Sequence, residues 1–171
     1  MKHLLLPITL LAAILAATGC AGYRLGGQKP SHLAGVTRLA VPTFENLTLE
    51  PRLGVLLTNA VIKQLQTEGA YQIVSQDQAD AVLVGKVADV QRSQFRSDPR
   101  NVLRTSQLLM RLHAQYQIRS PGSGAILHNG TANANSYIVL DANVQNSEAQ
   151  ALEDAAQRLA ATISNELSEG W

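Results

Sequence analysis

The sequence contains a single cysteine, Cys20, among 171 residues, and its surroundings limit the chemistry that its thiol could perform. Cys20 follows the uncharged, mostly apolar residues 4–17 and precedes the glycine-rich residues 22–27. With no second cysteine, the chain cannot form an internal disulfide. Three roles remain for this thiol: a buried core side chain, a catalytic nucleophile, or a residue that determines where the protein is located.

The N-terminal residues have the organisation of an export signal. A short basic head, MKH, is followed by the apolar run of residues 4–17 and then by small residues. A membrane-spanning helix needs about 20 apolar residues, whereas a run of 10–14 is typical of a signal-peptide core. We therefore predict that residues 1–19 are a signal peptide rather than a buried helix or a membrane anchor.

The sequence ATGC at residues 17–20 resembles the bacterial lipobox, in which small residues precede a cysteine that is lipidated. The resemblance implies cleavage between Gly19 and Cys20, a diacylglycerol on the Cys20 thiol and an acyl chain on the new amine. Ala17 stands where the lipobox pattern prefers leucine. Ala21 follows the cysteine where aspartate would retain a lipoprotein in the inner membrane, so the expected location is the outer membrane. Two or more acyl chains anchor a protein stably.

The chain beyond the signal is long enough for one domain with its own core. We predict a lipidated, glycine-rich tether over residues 20–35 and a single domain over residues 36–171. Removing Lys2 with the signal takes the formal charge from +1 to zero, and only 4% of residues are aromatic. Neither value favours nucleic acid as a partner.

Charge is unevenly distributed within the domain. Residues 91–111 contain one acidic residue, Asp98, and five arginines: Arg92, Arg96, Arg100, Arg104 and Arg111. Guanidinium groups suit the recognition of phosphate and carboxylate, so these arginines are candidate contacts for an anionic ligand or a partner. The alternative is an ordinary solvated loop that keeps a sheet edge from aggregating.

The pattern of residues does not predict an enzyme. The histidines His32, His113 and His128 do not have the spacing of a zinc site. The glycines do not form a phosphate-binding loop, and the sequence GSG at residues 122–124 lacks the context of a nucleophile elbow. We therefore predict no catalytic residues, no metal and no cofactor other than the covalent lipid on Cys20.

Hydrophobic periodicity predicts the elements that would position the arginines. Strands are expected at residues 36–41, 71–75, 81–90, 107–119 and 125–139, with a turn at residues 120–124 and a bulge at Gly85. A first helix is expected over roughly residues 49–68, capped by Thr48 and ended by Gly69. A capping box of Ser147 and Gln150 is expected to open a last helix, ended by Gly170.

The predicted order is therefore β-α-β-β-β-β-α. Because each amphipathic helix needs an apolar surface to cover, we expect an α+β fold with a mixed, antiparallel-rich sheet of four to five strands and both helices on one face. Residues 107–119 alternate between apolar and polar, so one face of this strand is expected to be buried and the other wet. The arginines would then project on a long hairpin between the strands at residues 81–90 and 107–119.

With these elements in place, the chain resembles the LptE family of outer-membrane lipopolysaccharide-assembly lipoproteins. The resemblance is carried by GYRL at residues 22–25, LAVPTFENLTLEPRL at 39–53, residues 58–87 and the terminal SEGW at 168–171. It implies a non-enzymatic domain that seats in or against the LptD β-barrel, plugs its lumen and assists delivery of lipopolysaccharide. The arginines are candidates for lipopolysaccharide contact on physical grounds only. The alternative is an adaptor lipoprotein of another envelope system, such as curli-type secretion or peptidoglycan-synthase activation.

Overall fold

The computed structural model describes residues 29–169, apart from the side chain of Val102. The predictions made for Cys20, for the cleavage site before it and for Gly170 lie outside the described residues. The strands and helices have the following bounds: β1 Arg38–Ala40, β2 Glu45–Asn46, α1 Leu53–Glu68, β3 Gln72–Ile73, β4 Ala81–Asp98, β5 Asn101–Arg119, β6 Ile126–Val139 and α2 Val144–Glu169.

The six strands form one mixed sheet with the order β3-β1-β4-β5-β6, and β2 pairs beside β1 along β4. The short strands β1, β2 and β3 pair in parallel, whereas the long strands β4, β5 and β6 form an antiparallel meander. The predicted α+β class with a mixed, antiparallel-rich sheet is confirmed. The sheet has six strands rather than four or five, because β2 contains only two residues and gives no periodic signal.

The two faces of the sheet differ in polarity as the alternation in residues 107–119 predicts. Even-numbered residues of β5 from Met110 to Ile118 are buried, while Arg111, Gln115 and Arg119 are exposed. The same period places Ala132, Ala134 and Ile138 of β6 in the core. Both helices contribute buried leucines to that core, and α2 also contributes buried alanines. We call the side of the sheet that faces the helices the inner face and the opposite, polar side the outer face.

Both predicted helix starts are wrong. Helix α1 begins at Leu53, because Arg52 adopts a left-handed conformation with φ of 64° and the preceding residues form side-chain turns. In those turns Asn46 Oδ1 accepts hydrogen bonds from both the backbone N–H and the hydroxyl of Thr48, so Thr48 does not cap the helix. Helix α2 begins at Val144, which places Ser147 inside it rather than at a capping box. The predicted end of α1 at Gly69, with φ of 69°, is confirmed.

Gly85 does not mark a bulge, contrary to the prediction. It pairs in register with Tyr116, and the irregularity of this part of β4 lies between Val87 and Asp89. The glycine is needed because the ring of Phe44 packs directly over its Cα, where any side chain would stand. Phe44 is 2% exposed, so it occupies this position as part of the core.

The last residues of the predicted tether pack against the domain. Residues Ser31–Leu33 form a short 3₁₀ turn, and the side chain of Leu33 is completely buried in the core. Among residues 29–169, no helix is both long and apolar enough to cross a bilayer.

Candidate interaction surface

The arginine-rich segment forms the far end of a long hairpin, as predicted, but the strands themselves continue to residues 98 and 101 rather than ending at residues 90 and 107. Strands β4 and β5 pair from Val82 opposite Arg119 to Asp98 opposite Asn101. Strand β6 stops at Val139, opposite Gln107. Residues 96–106 therefore extend beyond the third strand as a two-stranded ribbon, which we call the hairpin tip.

The hairpin tip is irregular, and its described side chains are exposed or half-buried. Register shifts occur between Gln94 and Arg96 and at each of the next two steps along β4, and such bulges increase the local twist of a ribbon. Asp98 accepts a hydrogen bond from the backbone N–H of Arg100 at 2.8 Å, which closes the turn. Leu103 is 92% exposed. The tip thus presents charge and apolar surface together.

Arg92 is held apart from the other arginines by its own ion pairs. It lies opposite Met110, on the inner face of the sheet. Its guanidinium donates to Glu50 in the loop before α1 and to Glu148 in the first turns of α2, with 2.8 Å between Arg92 Nε and Glu148 Oε1. Burial alone would lower the pKa of Arg92, but these two carboxylates outweigh it and raise the pKa above its ordinary value. Arg92 therefore clamps the base of the hairpin to the helical layer.

We expect Arg92→Gln to destabilise the protein. The substitution leaves Glu50 and Glu148 without their shared cation, and partly exposed ion pairs contribute about 0.2–1 kcal/mol each. A loss of about 1 kcal/mol corresponds to a melting temperature about 2–4 °C lower for a chain of this size. Thermal unfolding followed by circular dichroism measures the shift. Arg104→Gln, which removes an exposed charge from the hairpin tip, should leave the melting temperature unchanged, and an equal shift in both variants would contradict the role of Arg92 as a clamp.

The other four arginines lie on the hairpin tip or the outer face. Arg96 pairs opposite Gln107, on the same face as Arg111, and Arg111 Nε donates to Asn135 Oδ1 at 3.3 Å. Arg100 stands at the turn, and Arg104 is exposed on the returning strand. The structure therefore gathers four of the five predicted arginines on accessible surface and assigns the fifth to structural support.

Aromatic residues accompany these arginines, which the sequence pattern does not predict. The rings of Phe95 and Tyr137 contact each other on the outer face with centroids 4.6 Å apart, and both are about half exposed. The guanidinium carbon of Arg96 lies 5.9 Å from the centroid of the Phe95 ring, within cation–π range. The only sequence signal is Phe95 itself, an aromatic residue inside an arginine-rich segment, because Tyr137 joins it through strand pairing.

An open pocket of ≈ 450 Å³ lies further along the outer face, towards the opposite end of the strands. Its lining includes two cations, Lys86 and Arg119, and one carboxylate, Glu45, together with uncharged polar side chains such as Gln115 and Asn129. Arg119 is oriented by two hydrogen bonds to Gln117 Oε1, at 3.0 and 2.7 Å. The outer face therefore carries positive charge at both ends, with amide side chains between them.

The histidines do not form a metal centre among residues 29–169. Within this range no group of three or more His, Cys, Asp or Glu side chains could hold a metal ion. His113 instead bonds Asn133 Oδ1 on the outer face at 2.8 Å. His32 Nε2 lies 3.0 Å from His128 Nδ1, a contact that joins the turn before β1 to the start of β6.

This α+β fold, with two helices on one face of a mixed sheet, also occurs in solved lipoprotein structures. A minor lipoprotein from Acinetobacter baumannii matches with a TM-score of 0.52 and 16% identity, covering 76% of this chain and 91% of that chain. PelC from Paraburkholderia phytofirmans, solved as a dodecamer, matches with a TM-score of 0.55 and 16% identity, covering 83% of this chain and 94% of that chain. At these identities the likeness establishes the fold alone.

The family of the protein is assigned from its sequence. Residues 36–167 match the model of the LptE family, described as lipopolysaccharide-assembly. This match covers most of the chain, and the chain belongs to the LptE family. No curated protein sequence matches the chain.

Proposed function

We propose that this protein is a lipid-anchored subunit of the outer-membrane machinery that assembles lipopolysaccharide, partnered with an LptD-like β-barrel and without enzymatic activity of its own. The family match over residues 36–167 is the observation that carries this proposal. The protein would act as an adaptor and plug, in the outer membrane of a Gram-negative bacterium. The anchor would be the lipidated Cys20.

The outer face supports a role inside a wet barrel lumen. Its exposed side chains are largely amides and cations, such as Gln115, Asn135 and Arg111, with the apolar contact of Phe95 and Tyr137 confined to the end near the hairpin tip. The free-energy cost of leaving such a surface in water is small, because its polar groups can form hydrogen bonds with water as well as with protein. The helices, in contrast, bury their apolar faces against the inner side of the sheet and leave polar residues outside.

The hairpin tip is the proposed lipopolysaccharide contact. Lipopolysaccharide presents phosphates and acidic sugars beside acyl chains, and guanidinium groups bond phosphate through paired donors. Arg96, Arg100 and Arg104 would supply those donors, while Leu103 and Phe95 provide nearby apolar surface. The combination of cations and exposed apolar side chains fits an amphiphile better than it fits a soluble anion.

Purification from native membranes tests this function. We expect the full-length chain, extracted in mild detergent with an affinity tag at its C-terminus, to recover a large outer-membrane β-barrel identified by mass spectrometry. Cys20→Ala is the matched variant: it should leave the membrane fraction and lose incorporation of a labelled fatty acid. Recovery of a peptidoglycan synthase or of a secretion pore, with no barrel of the lipopolysaccharide machinery, would contradict the proposal.

The likeness to PelC gives the alternative a specific form. That protein was solved as a dodecamer, so the alternative adaptor could work as an assembly of many copies of this chain. The same purification separates the two functions, since a ring would elute as a large assembly of this chain alone. A one-to-one complex with a barrel is the result that the first proposal requires.

A further inference from the structure

Strand β6 forms one edge of the sheet, and apart from a register shift at Leu127, near its start, it lacks the features that usually protect such an edge. It spans Ile126–Val139, with the sequence ILHNGTANANSYIV, and contains no Lys, Arg, Asp, Glu or Pro. Among residues 29–169, no strand pairs with its outward side. Natural sheets protect their edges with charged residues, proline, bulges or short strands. The opposite edge follows this rule, because β3 has only two residues.

The edge is also regular, so it can act as a template for another strand. The pairing of β5 with β6 continues without a shift from Ile118 opposite His128 to Gln107 opposite Val139. Just beyond, the N–H of Leu140 donates to the carbonyl of Ser106 at 3.0 Å. Hydrogen bonds to one neighbour alternate along an antiparallel strand. The even-numbered residues of β6 therefore bond β5, and Thr131, Asn133 and Asn135 direct their N–H and C=O groups away from the sheet.

We propose that two copies of this chain pair through β6, antiparallel, about a twofold axis at Asn133. In this register Asn133 lies opposite the same residue of the other copy, and Thr131 lies opposite Asn135. All of these residues have outward-directed backbone groups, so each pair exchanges two main-chain hydrogen bonds. Amide and hydroxyl side chains directly opposite each other on one face add cross-strand contacts. The two sheets become one continuous sheet.

The two ends of the strand also come together in this arrangement. Val139 of one copy comes close to the start of β6 of the other, near its register shift, and the exposed fractions of Val139 and Ile126 are 44% and 56% in the single chain. Pairing therefore covers apolar side chains that one chain leaves in water. Because β6 carries no acidic or basic residue except His128, the two strands can approach each other without repulsion between like charges. Where α2 overlies the edge, Asp154 is already bonded to Arg158 and Ser136.

Sedimentation equilibrium of the full-length chain in detergent tests the dimer. We expect a monomer–dimer equilibrium whose dissociation constant rises at least about tenfold in Asn133→Lys, which places two ammonium groups opposite each other at the axis. Thr131→Lys preserves the contact between His113 and Asn133 and should weaken the dimer as well. Ser93→Lys adds the same charge to the outer face of β4, away from the edge, and should change the constant less than twofold.

Amide hydrogen exchange gives a second readout at single residues. Protection of the N–H groups of 131, 133 and 135 should rise with protein concentration, whereas those of 132 and 134 should be protected at every concentration. A chain that stays monomeric at all concentrations overturns the proposal, as does protection of residue 133 in the monomer, which would mean that the edge is covered within one chain. A larger ring that Asn133→Lys leaves intact would also overturn it. Each of these outcomes is independent of whether the barrel partner is recovered.

Discussion

Replacing Gly85 with alanine is expected to lower the free energy of unfolding by about 3 kcal/mol, near the upper end of the range for overpacked cores. A Cβ atom at this position would overlap Cε1 of the Phe44 ring, with Cδ1 and Cζ also in contact. The ring is buried in the core, and the hydrogen bond from the Phe44 N–H to Thr58 Oγ1, at 2.9 Å, holds the backbone from which the ring projects. Either the ring leaves its rotamer or β4 shifts, and both disturb the core.

Chemical denaturation of Gly85→Ala, compared with Gly122→Ala, measures this effect. Gly122 lies in the turn between β5 and β6, and a Cβ there meets no atom within 4 Å, so its replacement should change stability by less than about 0.5 kcal/mol. Phe44→Leu provides the second test, because a smaller side chain makes room for the added methyl group. In a double-mutant cycle Gly85→Ala should cost less on the Phe44→Leu background. Equal cost on both backgrounds would show that the ring is not the obstacle.

Periodic features of the sequence predict the architecture of the fold because they report burial directly. The alternation of residues 107–119 identifies the inner and outer faces of β5, and the spacing of leucines in α1 identifies its buried side. Each of these signals comes from residues a few positions apart, so it can be recognised in a single sequence. The helix starts were predicted wrongly because residue types that cap helices also occur in turns, as Thr48 does, and inside helices, as Ser147 does. The local sequence does not distinguish these uses.

Contacts between distant segments could not be predicted in this way. Arg92 belongs by sequence to a group of five arginines, yet its partners Glu50 and Glu148 lie 42 and 56 residues away. The same holds for Gly85, whose neighbour Phe44 comes from the segment between β1 and β2. A glycine against which an aromatic ring packs and a glycine at a β-bulge look the same in a sequence. Only the tertiary structure shows which of the two cases applies.

The exposed edge of β6 depends on both kinds of information. The absence of charge in residues 126–139 is visible in the sequence, but it acquires meaning only when the strand is found at the end of the sheet order. A central strand with the same composition would need no protection, since both of its sides would be paired. The sequence therefore shows that this strand lacks charge, and the strand order of the sheet shows that the uncharged strand lies at an edge.

Replacing Arg96, Arg100 and Arg104 together with glutamine is expected to weaken lipopolysaccharide binding by about 10- to 100-fold at low salt. Exposed ion pairs contribute about 0.2–1 kcal/mol each, so the loss of three such contacts is worth up to about 3 kcal/mol, and each 1.4 kcal/mol corresponds to a tenfold change in affinity. Arg92 stays unchanged in this variant, because its loss would destabilise the base of the hairpin and confuse a folding defect with a binding defect. Binding of the purified full-length chain to lipopolysaccharide can be followed by surface plasmon resonance, together with its melting temperature.

The control must remove the same charge from another surface. Arg52, Lys63 and Arg158 lie exposed in or beside the helices, away from the hairpin tip, and their joint replacement with glutamine changes the net charge equally. If the tip binds lipopolysaccharide, only the first variant loses affinity, and its difference from the wild type shrinks as salt rises from 50 mM towards about 1 M, where the Debye length falls to about 3 Å. Equal losses in both variants would mean that net charge attracts the ligand without a defined contact. Unchanged binding in the tip variant would remove the hairpin from the binding surface and leave Arg111, Lys86 and Arg119 as the cations of the outer face to be replaced next.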